Sequence, residues 1–202
     1  MSDARRRNLR GPARPAGTPP DESRLAEAAL AHLARFAATE AGLRRVLARR
    51  VDRWARAAEA EGQQDVAPRA AAAKQAAAAV ARRMAAQGNV DDAAFAGSRA
   101  RRLQRAGRSR RATLAHLREK GVDAGTAAAA LPEGEEAELD AALAFCRRRR
   151  IGPFGAADAS PELRGKALAA LARAGFGRGV AGQALAMEPD EAESQLLAAR
   201  QA

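Results

Sequence analysis

The chain has 202 residues, a formal charge of +11 at neutral pH and an aromatic content of only 3%. Its length allows one domain or a few small modules. The scarcity of aromatic residues argues against a large aromatic core or a sheet rich in β-formers. One cysteine excludes an internal disulfide and a zinc site of paired cysteines, and two histidines are too few for a histidine metal cage. The net charge predicts affinity for polyanions or acidic protein surfaces.

Helix formers dominate the chain. Alanine occurs 59 times, and leucine and arginine are also frequent; all three favour the α-helix. Because no segment alternates polar and apolar residues as a half-buried strand does, the sequence predicts an all-α fold. Its apolar stretches are too short and too weak to cross a membrane, and no leucine-rich segment follows the basic first residues. We therefore expect a cytoplasmic protein.

Arginine outnumbers lysine by 32 to 3. Together with the many alanines and glycines and the single isoleucine, this is also the composition that a GC-rich genome produces. The choice of arginine over lysine is therefore no evidence for selected phosphate contacts, and the net charge is better evidence for an anionic partner than the identity of the basic residues is.

The two ends of the chain differ from its middle. Residues 1–21 combine five arginines with four prolines and two glycines, which predicts a disordered basic arm. Residues 189–202 form a polar tail with marginal helical character. Between them we predict nine helices, at residues 22–37, 40–60, 68–87, 91–106, 109–120, 123–131, 135–150, 161–174 and 178–187.

Start and stop signals bound these helices. Ser160 and Pro161 form an N-cap followed by a proline at the first helical position. Thr39 and Asp123 are further candidate N-caps, and Pro68 is predicted to open another helix. Helices should end with left-handed glycines at Gly62, Gly88, Gly107, Gly121 and Gly175.

One pattern occurs twice, 54 residues apart. It reads Leu114-x-x-Leu117-x-x-x-Gly121-Val122 in the first copy and Leu168-x-x-Leu171-x-x-x-Gly175-Phe176 in the second. Leucines three residues apart share a helix face. The glycine ends that helix, and the next apolar residue packs in the turn before a short helix. Since a longer helix precedes each copy, each unit is predicted to contain a long, a medium and a short helix.

The repeat divides the chain into three tandem three-helix modules, at residues 22–88, 89–132 and 133–188. The first copy is degenerate and carries an insertion at residues 53–66. Its predicted core positions are Leu25, Leu30, Leu33 and Phe36 in one helix and Leu43, Val46 and Leu47 in the next. Modules with so little apolar material gain stability by stacking. We therefore expect an elongated, curved molecule with a thin core.

A nearly unopposed basic block occupies residues 98–121. It contains Arg99, Arg101, Arg102, Arg105, Arg108, Arg110, Arg111, Arg118 and Lys120. Glu119 is its one acidic residue. The block could be an ordinary solvated helix face, but like charges at this density repel one another and favour an anionic partner. No aromatic residues are interleaved for base stacking, which argues against sequence reading of single strands.

Two further charged motifs have simple structural interpretations. Arg147, Arg148, Arg149 and Arg150 end a helix that begins with three glutamates, so the charges complement the helix dipole. A contact role would be a second use of these arginines. In Asn89-Val90-Asp91-Asp92, one aspartate is predicted to cap the next helix and the other to stabilise its positive end. A metal or partner site is the alternative, and Phe95 is expected to anchor the core.

No catalytic residues, cofactor motif or metal ligands emerge from the sequence. Cys146 is predicted to be a small buried residue, and Trp54 and Met84 are predicted to belong to the core. His32 and His116 lack the acidic or nucleophilic neighbours that catalysis requires. The glycines around Phe176 lack the strand and the Lys-Ser/Thr pair of a phosphate-binding loop. We therefore expect a protein that is not an enzyme.

The order of these elements resembles the RecX family, the regulators of the RecA recombinase. The resemblance rests on Gly88-Asn-Val-Asp91-Asp92-Ala-Ala-Phe95-Ala96, the basic stretch ending at Gly107, Leu117-Arg-Glu-Lys120-Gly121-Val122, and Leu168-x-x-Leu171-x-Arg173-x-Gly175-Phe176. It covers residues 22–188 and implies three tandem three-helix modules without catalysis. It further implies binding in the groove of the RecA–single-stranded-DNA filament, with suppression of recombinase activity in recombination, DNA repair and the SOS response.

The resemblance implies two partners, the RecA filament and the single-stranded DNA inside it. We expect a monomer that contacts no membrane and needs no cofactor. Block 98–121 is the main candidate contact and Arg147–Arg150 the secondary one. Two alternatives remain open: a general basic nucleic-acid-binding protein, which the net charge and basic arm favour, and a helical scaffold for an acidic partner.

Overall fold

The computed structural model describes residues 15–132, 134–156 and 160–201. The arginines of the predicted basic arm, which lie within residues 1–14, fall outside this range. All regular structure in the described residues is helical. The helices are α1 (Glu22–Leu33), α2 (Glu40–Ala60), α3 (Val66–Ala86), α4 (Asp92–Arg105), α5 (Arg110–Lys120), α6 (Ala124–Ala129), α7 (Glu135–Arg149), α8 (Pro161–Ala174), α9 (Arg178–Ala186) and α10 (Pro189–Gln201), with a 3₁₀ turn at Gly152–Phe154.

The prediction of an all-α fold is confirmed, and each of the nine predicted helices has a counterpart within a few residues. The largest difference is in α1, which ends at Leu33 rather than at residue 37. The expectation that Leu30 and Phe36 face a core is wrong, since they are 50% and 58% exposed. Phe36 lies beyond the helix and packs its ring against His32, at 5.2 Å between centroids.

The chain divides into two compact units, the first containing the described residues up to Phe36 together with Leu43–Asn89. In this unit α1 packs against α3. The buried face of α2 carries Leu43, Leu47, Val51, Trp54 and Ala58, a spacing of three or four residues that keeps one stripe facing inward. The insertion predicted at residues 53–66 therefore continues the core-facing stripe of α2 and forms the turn that leads into α3.

The last residues of the predicted arm make specific contacts in this unit. Trp54 donates its indole N–H to the carbonyl of Gly17 at 3.1 Å, and the backbone N–H of Ala16 donates to a carboxylate oxygen of Glu61 at 2.7 Å. Asp21 caps α1 by accepting a hydrogen bond from the backbone N–H of Arg24. Residues 15–21 are thus held by hydrogen bonds, because α2 extends far enough to offer them partners.

The second unit comprises Ala37–Gly42 and the described residues from Val90 onward. One of its cores lies among α4, α5 and α6 and includes Ala96, Ala100, Leu117, Val122 and Leu131. Phe95 packs against this core while remaining partly exposed. Thr39 joins the unit by donating to the carbonyl of Lys120 at 2.7 Å. The same hydroxyl accepts a bond from the N–H of Gly42, as expected of an N-cap.

A second core in this unit lies among α7, α8, α9 and α10 and includes Leu143, Leu171 and Phe176. The segment expected to be a polar tail forms α10, whose Ala192 and Leu196 are buried in this core. The tail lacks strong amphipathic patterning, so packing against α7 stabilises a helix that propensity alone predicts weakly.

The two copies of the repeat have the same local geometry. Gly121 and Gly175 end α5 and α8 in the left-handed region, with φ of 92° and 98°. The backbone N–H groups of Val122 and Phe176 reach back to the carbonyls of Leu117 and Leu171, at 3.1 Å in both copies. All five predicted glycine stops have positive φ. The repeat read from the sequence is therefore a repeat of structure, with both leucines fully buried.

Candidate polyanion- and partner-binding surface

The predicted basic block lies on α4 and α5 and the turn between them. Its members differ in exposure: Arg101, Arg102, Arg105, Arg108, Arg111 and Arg118 are exposed, whereas Arg99, Arg110 and Lys120 are partly buried. The exposed arginines of α4 are Arg101, Arg102 and Arg105. They face solvent because Ala96 and Ala100 occupy the buried face of that helix. The exposed members can contact a partner without disturbing the core.

The partly buried Arg99 belongs to a cluster around His116. Its Nε donates to Nε2 of His116 at 3.1 Å, which requires an unprotonated acceptor nitrogen on the imidazole. Burial and the charges of Arg99, Lys120 and Arg108 lower the pKa of His116. The neutral imidazole therefore lies among cations, and the carboxylate of Glu119, 4.0 Å from its Nδ1, opposes their charge. Such a cluster stabilises a bound anion.

Arg110, another candidate contact residue, also makes hydrogen bonds within the fold. Its side chain donates to the carbonyl of Pro132 at 2.7 Å and its backbone N–H to the carboxylate of Glu138 at 2.7 Å. Burial raises the pKa of Glu138, although the bond from Arg110 opposes the rise. These contacts join the start of α5 to the start of α7, so we assign Arg110 a structural role.

The run Arg147–Arg150 also has structural contacts. Arg148 donates to the carbonyl of Ala106 at 2.6 Å, at the end of α4. The guanidinium groups of Arg148 and Arg149 lie over the ring of Phe145, 5.5 and 5.7 Å from its centroid. Three glutamates begin α7 and three arginines end it, which is the predicted complement of the helix dipole. Arg150 adopts the left-handed conformation that ends the helix.

One groove joins the main and the secondary candidate residues. It lies among α4, α7 and α10, has a volume of about 650 Å³, and includes Arg101, Arg105, Arg147 and Arg200 in its lining. We call it the α4–α7–α10 groove. Block 98–121 and Arg147 are separate regions of the sequence, and the packing of α4 against α7 brings them together.

The two aspartates at the start of α4 cap different helices. Asp91 accepts from the backbone N–H of Ala94 at 2.8 Å and caps α4 itself. Asp92 lies in the first turn of α4, yet it accepts from the backbone N–H of Glu40 at 2.9 Å, at the start of α2. In the part of the chain that the structure describes, no group of three or more His, Cys, Asp or Glu side chains could hold a metal ion.

Sequence reasoning missed a row of arginines on α2. Arg45, Arg49, Arg53 and Arg56 are all exposed and lie opposite the stripe that contains Leu47. Their spacing of four, four and three residues keeps them in one row, about 16 Å long at 1.5 Å per residue. The signal was present in the sequence, as basic residues that alternate with core positions at helical spacing. We call this feature the α2 arginine row.

None of the helices in residues 15–132, 134–156 and 160–201 combines the length and the apolar character needed to span a bilayer. The described residues present helical repeats with basic exposed faces, as helical repeat proteins that bind a partner do.

Comparison with known proteins agrees with this class. The family model for "RecX, second three-helix domain" matches residues 91–131, which contain α4, α5 and α6. The "Regulatory protein RecX" of Myxococcus xanthus is 38% identical over 196 residues, covering 94% of this chain and all of the relative. The protein of the same name from Agrobacterium fabrum is 37% identical over 107 residues, 53% of this chain and 57% of the relative. No solved structure gave a significant match.

The chain therefore belongs to the RecX family of regulatory proteins.

Proposed function

We propose that this protein regulates a RecA-type recombinase by binding in the groove of the recombinase–single-stranded-DNA filament and suppressing its activity. Similarity to a RecX regulatory protein along that relative's whole length supports the proposal. The exposed arginines of α4 and α5 supply the matching chemistry, because such a filament carries both DNA phosphates and protein walls. The proposed partner implies a cytoplasmic protein, and we propose that it acts as a monomer.

The proposed mechanism needs no catalysis. Each module contributes modest contacts along a repeating lattice, and effective concentration converts them into firm binding once the first contact has formed. A helical protein seated in the filament groove obstructs strand exchange, filament growth and the conformational cycle that accompanies ATP hydrolysis. Inhibition thus depends on occupancy of the groove and on the basic side chains that hold the protein there.

The test uses the cognate recombinase, single-stranded DNA and the purified full-length protein. Stoichiometric or lower amounts should reduce DNA-dependent ATP hydrolysis and shorten the filaments seen by electron microscopy. Unchanged hydrolysis and filament length under saturating protein would contradict the proposal.

A matched pair of variants tests whether the basic block makes the contact. Arg102, Arg108 and Arg118 are exposed residues of the block, and changing all three to glutamine should weaken inhibition at least about tenfold. The control changes Arg24, Arg35 and Arg82 to glutamine, with the same loss of charge on exposed sites elsewhere. Equal losses in the two variants would show that only net charge matters.

The α2 arginine row favours a second candidate function, general binding to nucleic-acid backbones. Its exposed charges recur about every 6 Å along the helix, a spacing suited to successive phosphates. This candidate predicts tight binding to bare DNA, with a salt slope of roughly 0.7 per phosphate contact on single strands and 0.9 on duplex.

Replacing Arg49 and Arg53 with glutamine should reduce that slope by about one to two, whereas Arg24→Gln with Arg35→Gln should leave it nearly unchanged. Weak binding to bare DNA beside strong binding to the filament would eliminate this second function.

A further inference from the structure

The α4–α7–α10 groove is lined by arginines, which we call its rim, and by apolar side chains, which we call its floor. Arg101 and Arg105 reach it from α4, Arg147 from α7 and Arg200 from α10. Among the described residues that line the groove, Asp140 is the one acidic residue. Small apolar side chains complete the floor: Ala137, Ala141 and Ala144 from α7, and Leu196 and Ala199 from α10. The groove therefore lies at a helix junction and offers both guanidinium groups and apolar side chains to a ligand.

The cations of the rim have few partners inside the protein. Among the described residues, no ion pair within 4 Å involves Arg101, Arg105 or Arg200. Arg147 lies 3.6 Å from a carboxylate oxygen of the half-exposed Glu193, a long ion pair that is weak in water. Asp140 accepts a hydrogen bond from the side-chain amide of Gln195 at 2.8 Å, so this carboxylate has a neutral hydrogen-bond partner.

The composition of the groove discriminates between possible occupants. Nucleic-acid strands bound in grooves stack their bases on aromatic rings, and the described residues that line this groove include no aromatic side chain. An apolar floor gives a phosphate backbone nothing to bury. A peptide that carries one apolar side chain between carboxylates can bury that side chain on the alanines and place the carboxylates against guanidinium groups. The groove, at about 650 Å³, is large enough to hold a few side chains of such a peptide.

We propose that the α4–α7–α10 groove is a docking site for an acidic protein segment with an apolar anchor residue. The inference deepens the proposed function and rests on it. The groove would bind a segment of the recombinase, and the exposed arginines outside the groove would contact DNA phosphates. A single groove then explains why the charges of α4 and the end of α7 converge although they are far apart in sequence.

The direct test measures binding of a fluorescein-labelled peptide in which pairs of glutamates alternate with single leucines, with no recombinase or DNA present. Its counterpart with glutamines in place of glutamates is the ligand control. The groove variant is Arg101→Gln with Arg105→Gln. The control variant is Arg102→Gln with Arg118→Gln, which removes the same charge from exposed positions outside the lining.

Fluorescence anisotropy should show binding at least about tenfold weaker for the groove variant and within about twofold of the parent for the control. A third variant, Ala137→Leu, fills the floor of the groove without removing any charge and should also weaken binding. Because Ala137 is partly exposed, this variant should keep the parent melting temperature, which circular dichroism checks.

Three results would overturn the inference. Equal losses in the groove and control variants would show that net charge alone attracts the peptide. If Ala137→Leu bound the peptide with unaltered affinity, the apolar residues of the groove would not be part of the binding site. Displacement of the peptide by an equimolar oligo-dT strand would assign the groove to nucleic acid.

Inhibition of the recombinase by the parent protein is measured beside these assays. Inhibition without groove-dependent peptide binding would refute the groove inference alone. Failure of the parent protein to inhibit would refute the proposed function, whatever the peptide does.

Discussion

Gly107 offers the sharpest test of how α4 and α7 are held together. It ends α4 with a φ of +75°, and a β-carbon built on it would lie 2.5 Å from the backbone nitrogen of Phe145 and 2.8 Å from its α-carbon. Both distances are well below the 3.4 Å at which ordinary van der Waals contact begins. Because the obstacle is the backbone of α7, no side-chain rotation can relieve the clash.

The expected loss for Gly107→Ala has two parts. A left-handed conformation costs an alanine about 1–2 kcal/mol, and forcing the two helices apart adds about 1–3 kcal/mol. The control is Gly88→Ala, where φ is +74° and nothing lies within 4 Å of the added β-carbon. Gly88→Ala should therefore lose only the free energy that the left-handed conformation costs an alanine. The free energy of unfolding should therefore fall by about 2–5 kcal/mol in one variant and about 1–2 kcal/mol in the other.

Urea unfolding followed by circular dichroism at helix wavelengths measures both variants, with the slope against urea compared to confirm that each unfolds over the same surface. A loss in Gly107→Ala no larger than in Gly88→Ala would refute the close approach of α4 and α7. The same variant should also weaken peptide binding, since α4 and α7 together form the groove.

Three further outcomes are expected. Leu117→Ala should lower the free energy of unfolding by about 2–5 kcal/mol through cavity creation, while Leu163→Ala, at 53% exposure, should change it little; similar losses in urea titrations would contradict the repeat alignment. The lowered pKa of His116 means that the unfolded chain binds more protons, so stability should fall as pH drops below about 6.5; His116→Gln, which keeps an acceptor for Arg99, should flatten that part of the urea–pH profile, and an unaltered profile would count against the cation cluster. Burial raises the pKa of the Cys146 thiol to about 11, so the native protein should react with Ellman's reagent at pH 8 far more slowly than the urea-unfolded protein, and equal rates would show that the thiol is accessible.

Local signals specified the helices of this chain. Ser160, Asp123 and Thr39 each cap a helix by accepting a backbone N–H in the turn that follows, as their sequence positions predicted. Hydrogen bonds between residues three to five apart depend on neighbours along the chain, so composition, caps and glycines were enough to place these elements. The buried Cys146 was equally predictable, because it follows Ala142 and Leu143 by four and three residues on the core-facing stripe of α7.

Some of the candidate site was visible in the same way. Most basic residues of the block on α4 and α5 are exposed, and the charges of α7 follow the helix dipole as predicted. The α2 arginine row could have been found by asking which face of the predicted helix remains after its leucines are assigned to the core. That these residues bind a filament stays a prediction.

Tertiary packing decided the rest, because it depends on which helix faces meet across large separations in sequence. Nothing local marks Arg110 as a structural residue, since its partners Pro132 and Glu138 belong to later elements. The exposure of Phe36 and the burial of Leu196 reverse their local expectation for the same reason. The groove that contains both Arg101 and Arg147 forms because α4, α7 and α10 pack together. No local sequence pattern predicts that packing.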